Sequence, residues 1–308
     1  PEDYVLDGDV LVRLKTSSIL AALPPELRRR FEQDVDAGRL RAAQDIVGTF
    51  WRGLPPSKRP EFEQYRISVG EGARNELRQL IARPKRRGEV AALPRNPYTG
   101  DVTIPGSAIK GAIRTALVSM RVNGPAKAAY ERAAGGRPDR RVLEEAAFGY
   151  RSSATESDPL RLLKVSDAVW PASAVRVDRA ALHRLGNGGA EGIPIYLERL
   201  ECRADGVRLP ECMVTISLRE EATLSLAERR LFQTLFSWNE LQFACGSFYV
   251  GRLRAEGKRF GEAGWFGWKW WPSQEEVNTA LLLRVGRYCH FDSLSVDTFR
   301  EGWNARRR

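Results

Sequence analysis

Five residues spaced along Ile104-Pro-Gly-Ser-Ala-Ile-Lys-Gly-Ala-Ile-Arg-Thr-Ala-Leu117 have the chemistry to hold a polyanion: Gly106, Ser107, Lys110, Gly111 and Arg114. Pro105-Gly106 stops the preceding extended run, and Ser107 can accept a hydrogen bond from a first-turn N–H as a helix N-cap does. A helix is therefore expected to begin there. Its start exposes N–H groups and the positive end of the helix dipole, which favours a phosphate near Gly106 and Ser107, where glycine lets the anion come close. At about 100° per residue, Ile109, Ile113, Ala116, Leu117 and Met120 fall within an arc of roughly 100°, with Lys110, Arg114 and Arg121 within about 40° beside it. The same residues also fit plain packing, with the glycines permitting close approach and Lys110 and Arg114 in solvent. A nucleotide-binding P-loop does not fit. Gly106 and Gly111 have its separation, but Ala112 and Ile113 stand where that motif needs Lys and Ser or Thr.

Other candidate groups are sparser. Gly264-Trp-Phe-Gly-Trp-Lys-Trp-Trp271 could stack on unpaired bases, with Lys269 for phosphate, or anchor a protein interface. Leu281-Leu-Leu-Arg-Val-Gly-Arg287 presents Arg284 and Arg287 at the end of an expected strand, with Gly286 as a turn. The basic run Arg83-Pro-Lys-Arg-Arg87 reads as a loop that could follow an RNA backbone, or as a solvated loop. For metal-independent cleavage of RNA only His183 and His290 could move protons, and neither has a partner nearby in sequence. Cys202, Cys212, Cys245 and Cys289 form no C-x-x-C pair, so neither zinc nor a disulfide framework has support. Glu144-Glu145 and Glu220-Glu221 read as surface carboxylates rather than metal ligands.

The elements that must position these groups follow from periodicity and punctuation. Tyr4–Leu6 and Val10–Leu14 flank Asp7-Gly8-Asp9 as a hairpin. Residues 18–52 carry helical spacing broken at Pro24-Pro25 and closed by Pro55-Pro56, which predicts an insertion of two or three helices. A helix is expected over 71–81, and another ending near Phe148-Gly149. Leu160–Asp167 and Ala174–Asp178 read as neighbouring strands turning at Pro171 and completing the first sheet. The glycine-rich 186–189 stretch reads as a domain boundary or mobile loop. Beyond it, 193–202 and 212–218 are strand-like. Ser225-Leu-Ala-Glu228 is a capping box opening a helix with Leu231, Phe232, Leu235, Phe236 and Trp238, and 243–250 and 280–285 read as further strands. The expected division is 1–189 and 190–308, in an α+β chain.

A length of 308 residues suits two modest domains. Lys and Arg number 49 against 39 Asp and Glu, a formal charge of +10, which favours nucleic acid or another acidic surface. No apolar run approaches the roughly 20 residues that span a bilayer, so a soluble cytoplasmic protein, without membrane contact, is expected. The opening at Pro1 and the closing Arg306-Arg307-Arg308 read as a trimmed product.

The Ile104–Leu117 stretch closely resembles the Pro-Gly-Ser-x-hydrophobic-Lys-Gly-x-hydrophobic-Arg motif of the RAMP superfamily, the RNA-binding subunits of type III CRISPR effector complexes. Asp3-Tyr-Val-Leu-Asp-Gly-Asp-Val-Leu-Val-Arg-Leu14, Asp158-Pro-Leu-Arg-Leu-Leu-Lys-Val-Ser-Asp-Ala168 and the segment from Leu281 to Asp297 resemble the end-cap subunits of type III-A Csm complexes. The resemblance implies two ferredoxin-like, RRM-related RAMP domains with helical insertions. It also implies a hold on the 3′ portion of CRISPR RNA through Gly106, Ser107, Lys110, Gly111, Arg114, Arg284 and Arg287. Association with the Csm backbone subunit and the small helical Csm subunit would follow, as would RNA 3′-end maturation through host nucleases, with no cofactor and no catalysis of its own. In that family a first strand and a glycine-containing loop precede the Asp3–Leu14 segment, a part expected to be absent here. Two alternatives stay open: a RAMP endoribonuclease that processes precursor CRISPR RNA, and a RAMP subunit at another position of a type III complex.

Overall fold

The computed structural model describes residues 4–82, 90–122, 124–134, 139–151, 153–180, 195–200, 212–232, 234–261, 273, 275 and 279–286. In chain order its first elements are β1 (Tyr4–Asp7), β2 (Val10–Leu14), α1 (Thr16–Ala22), α2 (Pro25–Asp36), α3 (Leu40–Gly53), β3 (Glu63–Val69), α4 (Glu71–Ala82), β4 (Val90–Ala91) and β5 (Val102–Ile104). There follow α5 (Gly106–Arg121), α6 (Gly124–Ala134), α7 (Arg140–Phe148), β6 (Leu163–Val165), β7 (Ala168–Trp170), β8 (Val175–Ala180), β9 (Ile195–Leu200), β10 (Ile216–Leu218), α8 (Leu226–Leu231) and α9 (Trp238–Gly261). The chain is mixed α and β, as its pattern implies. It divides into two compact units, each built from two stretches: 1–103 with 169–213, and 104–168 with 214–308. These units are interleaved along the chain, and the 186–189 glycines, where the sequence placed a boundary, lie outside the described residues.

Among the described residues the first unit is organised by a six-stranded sheet in the order β1-β2-β3-β8-β9-β4. Gly8, at φ 62°, takes the left-handed conformation that closes the β1–β2 hairpin. Side-chain alternation then sends successive β2 residues to opposite faces. Leu11 joins Ile67, Val69, Leu77, Val175 and Val177 under α4, while Val12 and Leu14 join Ile19, Ile46, Val47 and Trp51 of the helical insertion. Each fully buried side chain of this kind stabilises by about 1.5–3 kcal/mol. Glu198, 2 % exposed, is a carboxylate buried on the α4 side. It accepts from the Tyr65 hydroxyl at 2.9 Å, the Leu93 amide at 3.2 Å and Arg95 Nη2 at 2.8 Å. These bonds tie β3, β9 and the 93–95 segment together, and without them a buried carboxylate would be strongly unfavourable.

Among the described residues the second unit is mainly helical. α5 packs against α9 and α7, and the Tyr249 hydroxyl donates to the Ala112 carbonyl at 3.0 Å in the interior. β6 and β10 form a two-stranded antiparallel ribbon, Leu163 opposite Leu218 and Val165 opposite Ile216. Asp139 caps α7 by accepting from the Arg141 and Val142 amides, and Gly149, at φ 67°, ends it.

Four sequence expectations are corrected. β6 and β8 are not neighbours: β6 pairs with β10, whereas β8 lies between β3 and β9. The 243–250 run is the middle of α9, not a strand, because burial at Leu241, Ala244, Cys245 and Phe248 follows a helical stripe that its aromatic, strand-prone composition disguises. Residues 281–285 form no strand. The capping box at Ser225 and Glu228 is formed, but the helix it opens ends at Leu231, and Trp238 starts the next one.

Candidate functional site

The helix expected at the Pro-Gly-Ser segment is α5, yet its cap differs from the sequence expectation. Pro105 is the N-cap, no side chain of the segment caps it, and Ser107 lies inside the first turn. Its first orphan N–H is satisfied from 61 residues downstream: the Gly106 amide donates to Asp167 Oδ1 at 2.7 Å. A carboxylate at a helix N-terminus suits both the unsatisfied donor and the dipole. The Gly106 amide, expected to face a phosphate, is therefore already engaged. Gly106 has a packing role as well, since a Cβ there would come within 2.3 Å of the Val165 carbonyl and 2.8 Å of the Ser166 carbonyl. The close approach is to the protein's own backbone.

The other motif residues divide sharply. Arg114 lies inward, its guanidinium bonded to Glu144 Oε2 at 2.9 Å and to the Asp158 carboxylate, with side-chain exposure of 16 %. Burial alone would lower its pKa, but the Asp158 hydrogen bond and the charges of Asp158 and Glu144 outweigh that and raise it. Two carboxylates thus neutralise Arg114, and it is a structural cation. Lys110 donates to the Leu163 carbonyl at 3.0 Å and stays half-buried, with two of its three donors left over. Burial, the largest cause, holds its pKa below the ordinary value. Lys164, Arg114 and Arg161 add to that depression, and Asp158 opposes it.

Lys164 and Arg161 are both exposed. Neither entered the sequence-based site, although both lie in the second family-like stretch, Asp158–Ala168. Their signal was there: that stretch supplies the Asp167 cap, the Leu163 acceptor for Lys110 and the Asp158 partner of Arg114, so the two motifs fold against each other. Ser107 is exposed, and its amide and hydroxyl have no partner among the described residues. Gly111 shares its helix face, and a Cβ built there meets nothing within 4 Å. Ser107, Lys110 and Gly111 lie within about a turn of one another on α5, and Lys164 and Arg161 are close enough to Lys110 to act on its charge, so hydroxyl, amide, ammonium and guanidinium donors gather there. Such a gathering can hold the phosphates of a polyanion beside the helix axis, with Asp167 occupying the axial position.

Arg284, expected at a strand end, pairs with Glu256 of α9. Arg287, His183, His290, the 83–87 basic run and the 264–271 tryptophans lie outside the described residues. Among the described residues no cluster of His, Cys, Asp and Glu could hold a metal ion, and no helix is long and apolar enough to cross a membrane.

The family model of the RAMP superfamily matches residues 61–226. No curated protein matches the sequence. Among solved structures, the chain is similar to Csm5 of T. onnurineus, with a TM-score of 0.51, 18 % identity, and coverage of 85 % of this chain and 77 % of that one. It is also similar to a chain of a Csm-crRNA-target RNA ternary complex from a type III-A CRISPR-Cas system, with a TM-score of 0.60, 15 % identity, and coverage of 99 % and 85 %. At these identities the likeness is one of fold.

Proposed function

Since this chain belongs to the RAMP superfamily, we propose that it is a non-catalytic subunit of a type III-A Csm-like ribonucleoprotein that holds the 3′ portion of a CRISPR RNA and caps that end of the assembly. The observation that carries the reading is the gathering of Lys110, Arg161 and Lys164, with Ser107 exposed at the start of the helix that bears Lys110. Such groups address phosphate and sugar, so they position the guide without reading its sequence. Gly111 leaves room for the backbone to approach. In this reading the two units are the two ferredoxin-like, RRM-related domains of such subunits, the second contributing the β6–β10 ribbon among its described residues. Its partners are the Csm backbone subunit and the small helical subunit, with host nucleases trimming the RNA, in the cytoplasm of a prokaryote.

The test is RNA affinity against salt. Replacing Lys110, Arg161 and Lys164 by Ala lowers affinity for single-stranded guide RNA and reduces the slope of log K against log salt by about 0.7 for each phosphate no longer neutralised. Arg114→Met serves as the control: it destabilises the fold by about 3 kcal/mol, because Asp158 and Glu144 lose their shared cation, and it leaves the slope unchanged. A slope indifferent to the triple replacement rules out this face. Intact RNA after incubation with the purified chain supports positioning over cleavage.

A further inference from the structure

A groove of about 580 Å³ opens in the second unit between β10 and the stretch leading into α9. Its apolar lining comes from Ile216 and Leu218 on one side and Leu235, Phe236 and Trp238 on the other. Trp238 is 41 % exposed, which is high for so large an apolar side chain. Two features of this groove identify an occupant of one kind.

The first is an open strand edge. The Ser166 amide donates to the Thr215 carbonyl at 2.9 Å, and the Arg219 amide donates to the Leu162 carbonyl at 3.1 Å. In an antiparallel ladder hydrogen-bonded pairs alternate with non-bonded ones, so 215, 217 and 219 point their amides and carbonyls toward β6. Ile216 and Leu218 therefore point theirs away from it. Among the described residues β10 pairs with β6 alone, and these outward groups have no partner. An edge of this kind accepts another strand.

The second is charge. Glu220 and Glu221 line the same groove and are exposed. Among the described residues neither carboxylate has an ion-pair partner, whereas Glu228 and Glu240 are held by Arg219 and Arg121. Two adjacent carboxylates on a chain of formal charge +10 disfavour nucleic acid at this spot and favour a basic partner. A second copy of the chain would bring its own charge of +10 against the first.

We propose that the groove is a docking site for an extended segment of another protein, which adds to β10 as a strand. The segment is apolar at alternate positions, to meet Leu235, Phe236 and Trp238, and carries Lys or Arg beside Glu220 and Glu221. The groove shares no lining residue with the proposed RNA face, and its test does not depend on RNA.

Fluorescence anisotropy of three labelled probes on the full chain tests it: an octapeptide alternating Val and Lys, one alternating Val and Glu, and an octauridylate. The Val/Lys peptide binds, and the Val/Glu peptide binds at least about ten-fold more weakly. Ile216→Pro removes an outward donor while sparing the β6 bonds and abolishes binding, with circular dichroism confirming the fold. Should that variant misfold, Trp238→Ala decides, with a loss of about five-fold or more expected from the removal of one exposed aromatic anchor. Glu220→Lys with Glu221→Lys reverses the preference between the peptides. The proposal is overturned by equal affinities for the two peptides, by binding of neither, or by full affinity in the Trp238→Ala variant. It is equally overturned by Trp238→Ala weakening octauridylate rather than peptide, which marks a nucleobase site. Sedimentation showing a dimer that Ile216→Pro dissolves marks a self-interface instead.

Discussion

Gly70 and Gly106 occupy the same kind of place, each at a strand-to-helix junction, with an aspartate from a later strand region beside it. Gly70 follows β3 and opens α4, and Gly106 follows β5 and opens α5. At Gly70 the amide donates to the Val177 carbonyl at 2.7 Å. There Asp178 turns to Arg176 and Arg199, leaving the junction electrostatically closed. At Gly106 the aspartate itself takes the amide, and the nearby cations Lys110, Arg161 and Lys164 are not consumed by it. One junction spends its charges internally and belongs to the scaffold. The other keeps a cationic surplus on exposed and half-buried side chains, and the proposed hold on RNA rests on that surplus rather than on the glycine.

The glycines themselves give the largest expected difference. A Cβ at position 106 meets two backbone carbonyls, which cannot move without displacing β6, whereas one at position 70 meets Asp178 Oδ1 at 1.9 Å, the end of a side chain that can rotate. Gly106→Ala is expected to destabilise by about 3 kcal/mol, and Gly70→Ala by about 1–2 kcal/mol as Asp178 leaves its arginines. Denaturant midpoints of the two variants check the order, and a reversed order would break the comparison.

Asp167→Asn gives a smaller effect. It keeps an oxygen for the Gly106 amide but removes a charge from the helix start, so stability falls by about 0.5–1 kcal/mol. RNA affinity should rise, because the face loses its axial anion. Equal or weaker RNA binding in this variant would place the phosphate elsewhere.

Much of the scaffold was legible because it is local. The Asp7-Gly8-Asp9 turn, the prolines that break the helical insertion and the Ser225–Glu228 capping box each act within a few residues, and each forms as read. What sequence reading missed depends on partners far away. The Asp167 cap, the inward turn of Arg114 and the arrival of Lys164 beside Lys110 all require β6 to lie along α5, which no periodicity announces. The helix at 243–250 was hidden because its stripe is buried against α5, so aromatic content masked a 3.6-residue period. Arg114 is the instructive case. Helical geometry placed it correctly next to Lys110, but only the carboxylates of Glu144 and Asp158 decide that one cation is structural while the other keeps donors to offer.

The first unit offers the gentlest test of the same contrast, through pH. Burial, then Glu198, pushes the Tyr65 phenol up to about 12; burial, then the hydrogen bond to Glu76, does the same for Tyr196. A raised folded-state pKa makes these phenols a source of stability that is complete below their ordinary value near 10 and is lost as pH rises from there toward 12. Tyr65→Phe with Tyr196→Phe should flatten the alkaline decline of the unfolding midpoint across that window while leaving RNA binding at neutral pH unchanged. An unchanged decline would show that these two phenols do not hold the scaffold.

The interleaving of the two units has a consequence for how the chain is made. β3 pairs in parallel with β8 only after roughly a third of the chain has intervened, and β6 must wait for β10. Neither unit can close as it leaves the ribosome, since the second stretch of the first unit and the second stretch of the second both come late. Long-range pairing of this kind slows folding and leaves strand edges uncovered during synthesis. The nascent hairpin and helical insertion, complete in themselves by Gly53, are the parts able to form early, while each unit closes only when its late stretch arrives.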